Sequence, residues 1–410
     1  MDNFKVKKSA YFTVCNNAYL DRALTLANSL FEKNGFILKI FLFEKPYPIV
    51  NLLHFNFCEI SFIDDLDFER TKELAFKYDV VEFTTSLKPF ITLNLLKLYD
   101  KVIFLDPDIY ILGSFQYIDE LLEINPVILT SHYNTPELDF NESPDIGMMR
   151  FGSFNLGFFA VNNSESAVKF LSWWNSRCLE QCYFESQNGL STDQKWISIA
   201  NAFFDFLYVI RDPGYNVAYW NLFERNISLK NNTFFSNMSK IVFFHFSNFD
   251  LDNPEKLTKR AIINKKHLNS SLIILAKEYH NKVLSFKYYL QSINFSFVYS
   301  FDYFSNGKYI SPTLRIAFAA NVSSFSKNED YFLQNSSVYK FARKNNLLAK
   351  KSNFKLQGFN ALNENKSFFK FINFSLRAIL YILGPNRFYN ISRLFIYLSS
   401  FRKNKDLWKV

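Results

Sequence analysis

Over the first 250 residues, apolar positions fall alternately into short continuous runs and into helical spacings. A run over 10–14 predicts a strand. Leu20, Ala23, Leu24, Ala27, Leu30 and Phe31 then recur at the helical period, and Gly35 closes the helix. Asn16 or Asn17, in the turn between them, is a candidate cap. Strands are predicted over 36–43, broken by Pro46 and Pro48, and over 59–63. A helix over 67–78 follows, with Asp67 as a plausible cap. Positions 82–99 read as one long helix despite Pro89, which fits best in a first turn. Two apolar runs, 102–105 and 109–112, then flank Asp106-Pro107-Asp108.

Further strands are predicted over 127–131, 153–161, 206–210 and 241–246, and helices over 164–182 and from Ser191. The stretch 133–150 carries no clear element, and loops of that length are often functional. Residues 215–223 form an irregular aromatic stretch. Beyond about Asp252 the spacing becomes helical, most clearly over 272–290. This alternation predicts an α/β fold, a mostly parallel twisted sheet with helices on both faces, followed by a helical C-terminal extension. Ligands in such folds sit beyond the carboxyl ends of the strands. Val14-Cys15-Asn16 and Asp106-Pro107-Asp108 both lie at such ends.

Composition changes the picture in two places. Phe is unusually frequent (50 of 410 residues) and Gly rare (10), alongside abundant Asn, Lys and Ile. That bias suits an AT-rich genome, so single Phe or Asn residues carry little functional weight. The net charge of +9 is concentrated at the end: residues 339–410 hold 15 Lys/Arg and 2 Asp/Glu, and the rest is near neutral. Lys366, Lys370, Asn373 and Arg377 share one helical face. After Gly384-Pro385, an apolar face of Phe388, Ile391, Leu394, Phe395, Leu398 and Phe401 opposes Arg393 and Arg402. Such basic amphipathic helices suit an anionic membrane surface, or pack on the core or on another copy. No nucleic-acid module is visible, so nucleic acid is not an expected partner. The four cysteines have no zinc-type spacing and read as free thiols of a reducing cytosol. The N-terminal residues 1–8 lack a leader-type apolar core, and no stretch of 18 uncharged apolar residues occurs. The expected location is cytoplasmic, with peripheral contact to the inner membrane face.

Two carboxylates one residue apart on an extended chain point the same way and suit a divalent cation bridged to a diphosphate. The pattern alone is weak. With 20 Asp in the chain, about one such pair is expected by chance, and three occur: Asp65/Asp67, Asp106/Asp108 and Asp250/Asp252. Only Asp106/Asp108 sits between two apolar runs, where buried carboxylates need a counter-charge. Capping or salt-bridged aspartates are the alternative. His245, inside Phe243-Phe-His-Phe246, is either a core histidine or a nitrogen ligand for a cation such as Mn²⁺.

Five stretches, in this order, resemble the retaining GT-A glycosyltransferases of family 8, the group of bacterial lipooligosaccharide galactosyltransferases and glycogenin. They are Tyr11-Phe-Thr-Val-Cys-Asn-Asn-Ala-Tyr19, Phe104-Leu-Asp-Pro-Asp108, Phe154-Asn-Leu-Gly157, Thr192-Asp-Gln194 and His245-Phe-Ser247, and the resemblance covers about residues 8–250. It implies Asp106, Asp108 and His245 as ligands of Mn²⁺ (or Mg²⁺). It places the nucleotide of a donor, a UDP-linked hexose, against Thr13, Val14, Asn16 and Tyr19, with Arg22 and Lys88 near the diphosphate or sugar. Asn155, Asp193 and Gln194 match positions that hold the donor sugar and flank its reacting carbon. Read on their own, Asn155 is also a strand-end turn residue, Thr192-Asp193 a helix start, Arg22 and Lys88 solvated helix charges, and Tyr19 a core residue.

Two departures from the family pattern stand out. An acidic residue is usual where Asn16-Asn17 stands. The His-Phe-Ser segment is not followed by Gly and Lys-Pro-Trp: Asn248 takes the glycine's place, and Lys256 or Lys259 is left to supply the cation. The implied organisation is a catalytic domain over 1–255, a helical region packed on or extending it over 256–338, and the basic tail over 339–410. The expected activity is metal-dependent hexose transfer to a glycan or lipid-linked glycan in bacterial surface polysaccharide synthesis. A catalytically dead GT-A scaffold is the first rival. A nucleotidyltransferase is the second, and the absence of a Gly-rich basic loop at Cys15-Asn-Asn-Ala18 argues against it.

Overall fold

The apolar runs pair into a seven-stranded sheet in the structure, a computed structural model that describes residues 9–136, 144–260, 263, 265–327, 329–350, 366–398 and 405–409. The residues read for a leader (1–8), and Phe401 and Arg402 of the tail, lie outside that range. The strands are β1 (Ser9–Cys15), β2 (Leu38–Leu42), β3 (Cys58–Phe62), β4 (Lys101–Leu105), β5 (Ile109–Ile111), β6 (Val127–Ser131), β7 (Phe154–Asn162) and β8 (Leu207–Ile210). Then come β9 (Val217–Ala218), β10 (Ile227–Lys230), β11 (Thr233–Ser236), β12 (Ser239–Lys240) and β13 (Phe243–His245). The large sheet has the order β3-β2-β1-β4-β7-β6-β8. Pairing is parallel throughout except where β7 meets β4 and β6. This is the mostly parallel GT-A architecture expected from the sequence.

The abundant phenylalanines fill the space beside this sheet. Phe104 stacks on Phe159 (5.2 Å between centroids) and meets Phe12 at 5.0 Å, and all three are fully buried. The helix Leu20–Asn34 buries Leu20, Ala23, Leu24, Ala27 and Leu30 and ends at Gly35, whose φ of 71° is the left-handed cap that glycine adopts freely. Of the two asparagines read as possible caps, Asn16 makes no side-chain capping bond. Asn17 is the residue held there, with its amide on Glu44 and its side chain taking the Tyr47 hydroxyl.

Some elements differ from expectation. The helix read over 82–99 is two helices, Val80–Ser86 and Lys88–Leu95, broken at Leu87. Pro89 has no N–H to continue the first helix and fits the first turn of the second. That break sets Lys88 at the new helix start. Asp67 does not cap a helix over 67–78. It sits in the left-handed region (φ 48°) at the end of a 3₁₀ turn, and the helix begins later, at Thr71–Lys77. The stretch 133–150 contains a helix, Pro144–Phe151, while residues 137–143 lie outside the described range. An unanticipated hairpin joins β10 to β11 through Asn231 and Asn232, both left-handed, as a two-residue turn requires.

The chain divides into two compact units, Met1–Ser300 and Phe301–Val410. The first extends past residue 255 because the helix Ser270–Ser292 buries Leu272, Leu275, Ala276, Tyr279 and Val283 in one cluster with Tyr110, Phe246 and Phe249. The second contains the helices Pro312–Asn321, Ser337–Lys344, Lys366–Leu398 and Lys405–Trp408. Phe318, Phe325 and Tyr331 pack together in its small aromatic core.

Candidate active site

The second apolar run after Asp106 does not continue the large sheet. β5 turns away and pairs antiparallel with β13, in a small sheet of order β5-β13-β9 that sets His245 opposite Ile109. The Asp106 amide still bonds the Gly157 carbonyl of the large sheet (2.7 Å), while the Asp108 carbonyl takes the Phe246 amide (2.8 Å). This turn brings the distant histidine to the two aspartates. His245 Nε2 lies 3.0 Å from Asp108 Oδ1 and 3.8 Å from Asp106 Oδ2, and one ligand atom from each residue falls within 4.8 Å of the others. Burial pushes the Asp108 carboxyl up, but His245 and Arg22 outweigh it and hold the group below the usual range. Two carboxylates and one imidazole, largely enclosed, form a donor set that fits Mn²⁺ or a similar cation.

The other two Asp-X-Asp pairs have structural work instead. Asp65 accepts the Phe62 amide, and Asp250 and Asp252 share the Lys259 ammonium at 3.5 and 2.8 Å. Lys259 is therefore engaged away from the cluster, and Lys256 is exposed. Arg260, from the same segment, acts on two tyrosines. It lowers the pKa of both Tyr219, to which it hydrogen-bonds, and Tyr19, opposing the upward push of burial. Hydrogen bonds from the Lys259 amide to Asn248 and from the Thr258 hydroxyl to Ser247 fold the segment back to that position.

Lys88 joins the carboxylates. Its buried ammonium lies 3.2 Å from Asp106, 3.3 Å from Asp193 and 3.0 Å from the Leu156 carbonyl. Burial alone would lower its pKa, and the two facing carboxylates hold it above the usual value. Burial raises that of Asp193, against the pull of Lys88. Asp193 is further fixed by the Thr192 hydroxyl (3.0 Å) and by Trp174, whose indole N–H donates to its carbonyl. Gln194 accepts the Leu156 amide (3.2 Å) and approaches the Asn155 amide at 3.5 Å. Asp106, Asp108, His245, Lys88, Asp193, Gln194 and Asn155 thus form one neighbourhood at the β4 and β7 ends.

The residues expected around the nucleotide lie in β1 and just beyond its end. Thr13 is fully buried, and its hydroxyl has no hydrogen-bond partner among the described residues. Val14 is buried beside it. Tyr19 lies under the Arg22 guanidinium, 4.6 Å from the ring centroid, and Arg22 pairs with Asp21 at 2.9 Å. Asn16 is half-buried.

Sequence reading missed Asn216, a fully buried polar side chain in the aromatic stretch after Gly214. It accepts from His245 Nδ1 (3.3 Å) and donates to Asn155 (3.0 Å) and Thr130 (2.9 Å). Accepting at Nδ1 leaves Nε2 free for a metal. Gly157 keeps the space open: a Cβ there would come within 2.8 Å of His245 Nδ1 and 2.9 Å of Asn155 Oδ1. Trp220 meets both His245 and His132 edge-on, at 5.2 and 5.7 Å. Asn216→Ala is expected to weaken Mn²⁺ binding roughly 10- to 100-fold, the range for lost outer-shell partners of a metal ligand. Isothermal titration of the variant with Mn²⁺ checks this, with circular dichroism as the control for folding.

A mostly parallel sheet thus carries an acid–acid–histidine cluster at its carboxyl edge, beside a Lys–Asp pair. A model of glycosyl transferase family 8 matches residues 11–249, more than half of the chain. The chain belongs to glycosyl transferase family 8 and is a glycosyltransferase, of a family that generally uses a divalent metal and a nucleotide sugar. Two Bacillus subtilis (strain 168) proteins are similar to it. The uncharacterized protein YfnF is 25% identical over 59% of this chain and 82% of its own length, and the uncharacterized protein YfnD is 23% identical over 59% and 78%. Among solved structures, the galactosyltransferase LgtC in complex with donor and acceptor sugar analogs is 14% identical, covering 68% of this chain and 96% of its own, with a TM-score of 0.40. The glycosyltransferase GlyE of Streptococcus pneumoniae TIGR4 is 17% identical, covering 70% and 65%, with the same TM-score.

Proposed function

We propose that this glycosyltransferase moves a hexose from a UDP-linked donor to a glycan or lipid-linked glycan acceptor, with retention of configuration, at the inner membrane face in bacterial surface polysaccharide synthesis. The observation that carries the reading is the convergence of Asp106, Asp108 and His245 beside the buried Lys88–Asp193 pair. Asp106, Asp108 and His245 would hold Mn²⁺. Bound there, the ion supplies Lewis-acid neutralisation of a departing diphosphate.

The chain's own residues do the rest. The orphaned Thr13 hydroxyl and the Tyr19 ring line the side assigned to the nucleotide. Arg22 and Arg260 bring positive charge to that side, Arg260 in the role that Lys256 or Lys259 was expected to fill. Asn155 and Gln194 are locked by Asn216 and by the Leu156 amide, so their amide dipoles are fixed before the sugar arrives. Fixed dipoles favour the developing oxocarbenium charge without reorganisation. The Asp193 carboxylate, held by Lys88 and Thr192, is assigned here to act on the reacting carbon.

A panel of nucleotide sugars tested for Mn²⁺-dependent hydrolysis in the absence of acceptor decides the donor. A UDP-hexose should be cleaved at least tenfold faster than its GDP- or dTDP-linked counterparts. Equal rates across bases, or no hydrolysis and no Mn²⁺-coupled UDP binding, would remove the UDP assignment.

A further inference from the structure

The helix Lys366–Leu398 is the most exposed apolar surface described in the chain. Phe371, Phe374, Tyr381, Ile382, Phe395 and Ile396 are each between 66% and 92% exposed. Monomeric proteins rarely leave such a contiguous area to water. Ahead of it in the chain Tyr309 bridges Ala349, and beyond it the Trp408 carbonyl takes the Asn321 side-chain amide at 2.6 Å.

Two features say what covers this surface. The first is charge. Lys366, Lys370, Arg377, Arg387 and Arg393 lie within the helix, and no acidic residue does. On the first half, Lys370, Asn373 and Arg377 occupy one narrow stripe, and the remaining circumference is apolar apart from Ser367 and Ser375. A protein partner of that breadth would have to wrap the helix, whereas lipid surrounds it naturally while basic side chains reach the headgroups. The second is length and shape. Gly384, at φ 73° and ψ 163°, breaks the element ahead of Pro385. The half before the kink rises roughly 27 Å, less than the depth of a hydrocarbon core plus its interfaces. No helix among the described residues is long and apolar enough to cross a membrane.

We infer that residues 366–398 form a kinked helix pair that inserts into one leaflet of an anionic bilayer without spanning it, held by its apolar sides and by its basic stripe at the headgroups. This goes beyond the transfer chemistry and does not depend on it.

The test is vesicle flotation of the full chain without donor or acceptor. With vesicles containing roughly a third phosphatidylglycerol, the protein should float at least tenfold more than with phosphatidylcholine alone. The triple variant R377E/R387E/R393E should lose most of that preference, at roughly fivefold or more per basic residue. Phe374→Glu with Ile382→Glu and Phe395→Glu should abolish binding to both lipids while donor hydrolysis in solution stays unchanged. Equal flotation of wild type and the apolar variant would overturn the inference. So would a wild-type dimer in light scattering that the apolar variant dissolves, with no vesicle binding by either, because a second copy would then be the occupant. Hydrolysis read alongside keeps a failure here separate from a failure of the transfer assignment.

Discussion

Asp108→Ala should lower both sugar transfer and donor hydrolysis on the order of a thousandfold, as loss of a central electrostatic element of an active site does. Excess chelator should reduce the wild-type enzyme to the same floor, and added Mn²⁺ should rescue the wild type but not the variant. The physical reason is the local arrangement. Asp108 is buried, is held below the usual carboxylate range by His245 and Arg22, and sits 3.0 Å from the imidazole nitrogen that Asn216 leaves unoccupied. Alanine removes one of three converging donors, while the backbone bond from Phe246 to the Asp108 carbonyl remains, so the fold should survive. Initial rates of UDP-hexose hydrolysis with and without chelator make the measurement. Full activity in chelator would end the metal assignment, and a catalytically dead scaffold would show no coupling of UDP binding to Mn²⁺.

Lys88→Met should affect stability as well as rate. Its ammonium is buried between Asp106 and Asp193 and is the cation recorded on both. Removing it leaves two carboxylates facing each other in a protected site. Breaking a buried pair in this way costs about 3–5 kcal/mol, which in a unit of this size is roughly 5–8 °C in melting temperature. Lys88→Met combined with Asp193→Asn removes one of the stranded charges, so the melting temperature should recover by about half or more. Activity should stay at least a hundredfold down in both variants, because neither restores the Lys88–Asp193 geometry. Calorimetry and transfer assays on the two variants separate the effects. Equal melting temperatures for wild type and Lys88→Met would show that the pair is solvated rather than buried.

The parallel sheet was legible because its strands are uninterrupted apolar runs and its helices carry a clear 3.6-residue period, as in Leu20–Asn34 with its terminal Gly35. The central aspartates were legible for a related reason: apolar runs on both sides mark a protected turn. What the runs concealed was that β4 and β5 belong to different sheets. Period-two and continuous apolar patterns say which residues are buried, not which strand they pair with. For the same reason nothing local announced that His245 would face Ile109. Only the family pattern linked it to the aspartates. Lys88 looked like a helix charge until Pro89 was seen to start a new helix at that point. Asn216 and Arg260 escaped because an Asn in an aromatic stretch and an Arg in a basic chain have no periodic signature. The Asn231-Asn232 hairpin, by contrast, carried its turn signal in the sequence, between strands too short to stand out.

The division of Asp106 and Asp108 between two sheets has a mechanical side. Asp106 is bonded to Gly157 in the large sheet, Asp108 to Phe246 beside the small one, and Pro107 between them is a stiff link with a fixed φ. Whatever binds both carboxylates also clamps the two sheets across that seam. Occupancy of the site and rigidity of the seam are then thermodynamically linked, each favouring the other.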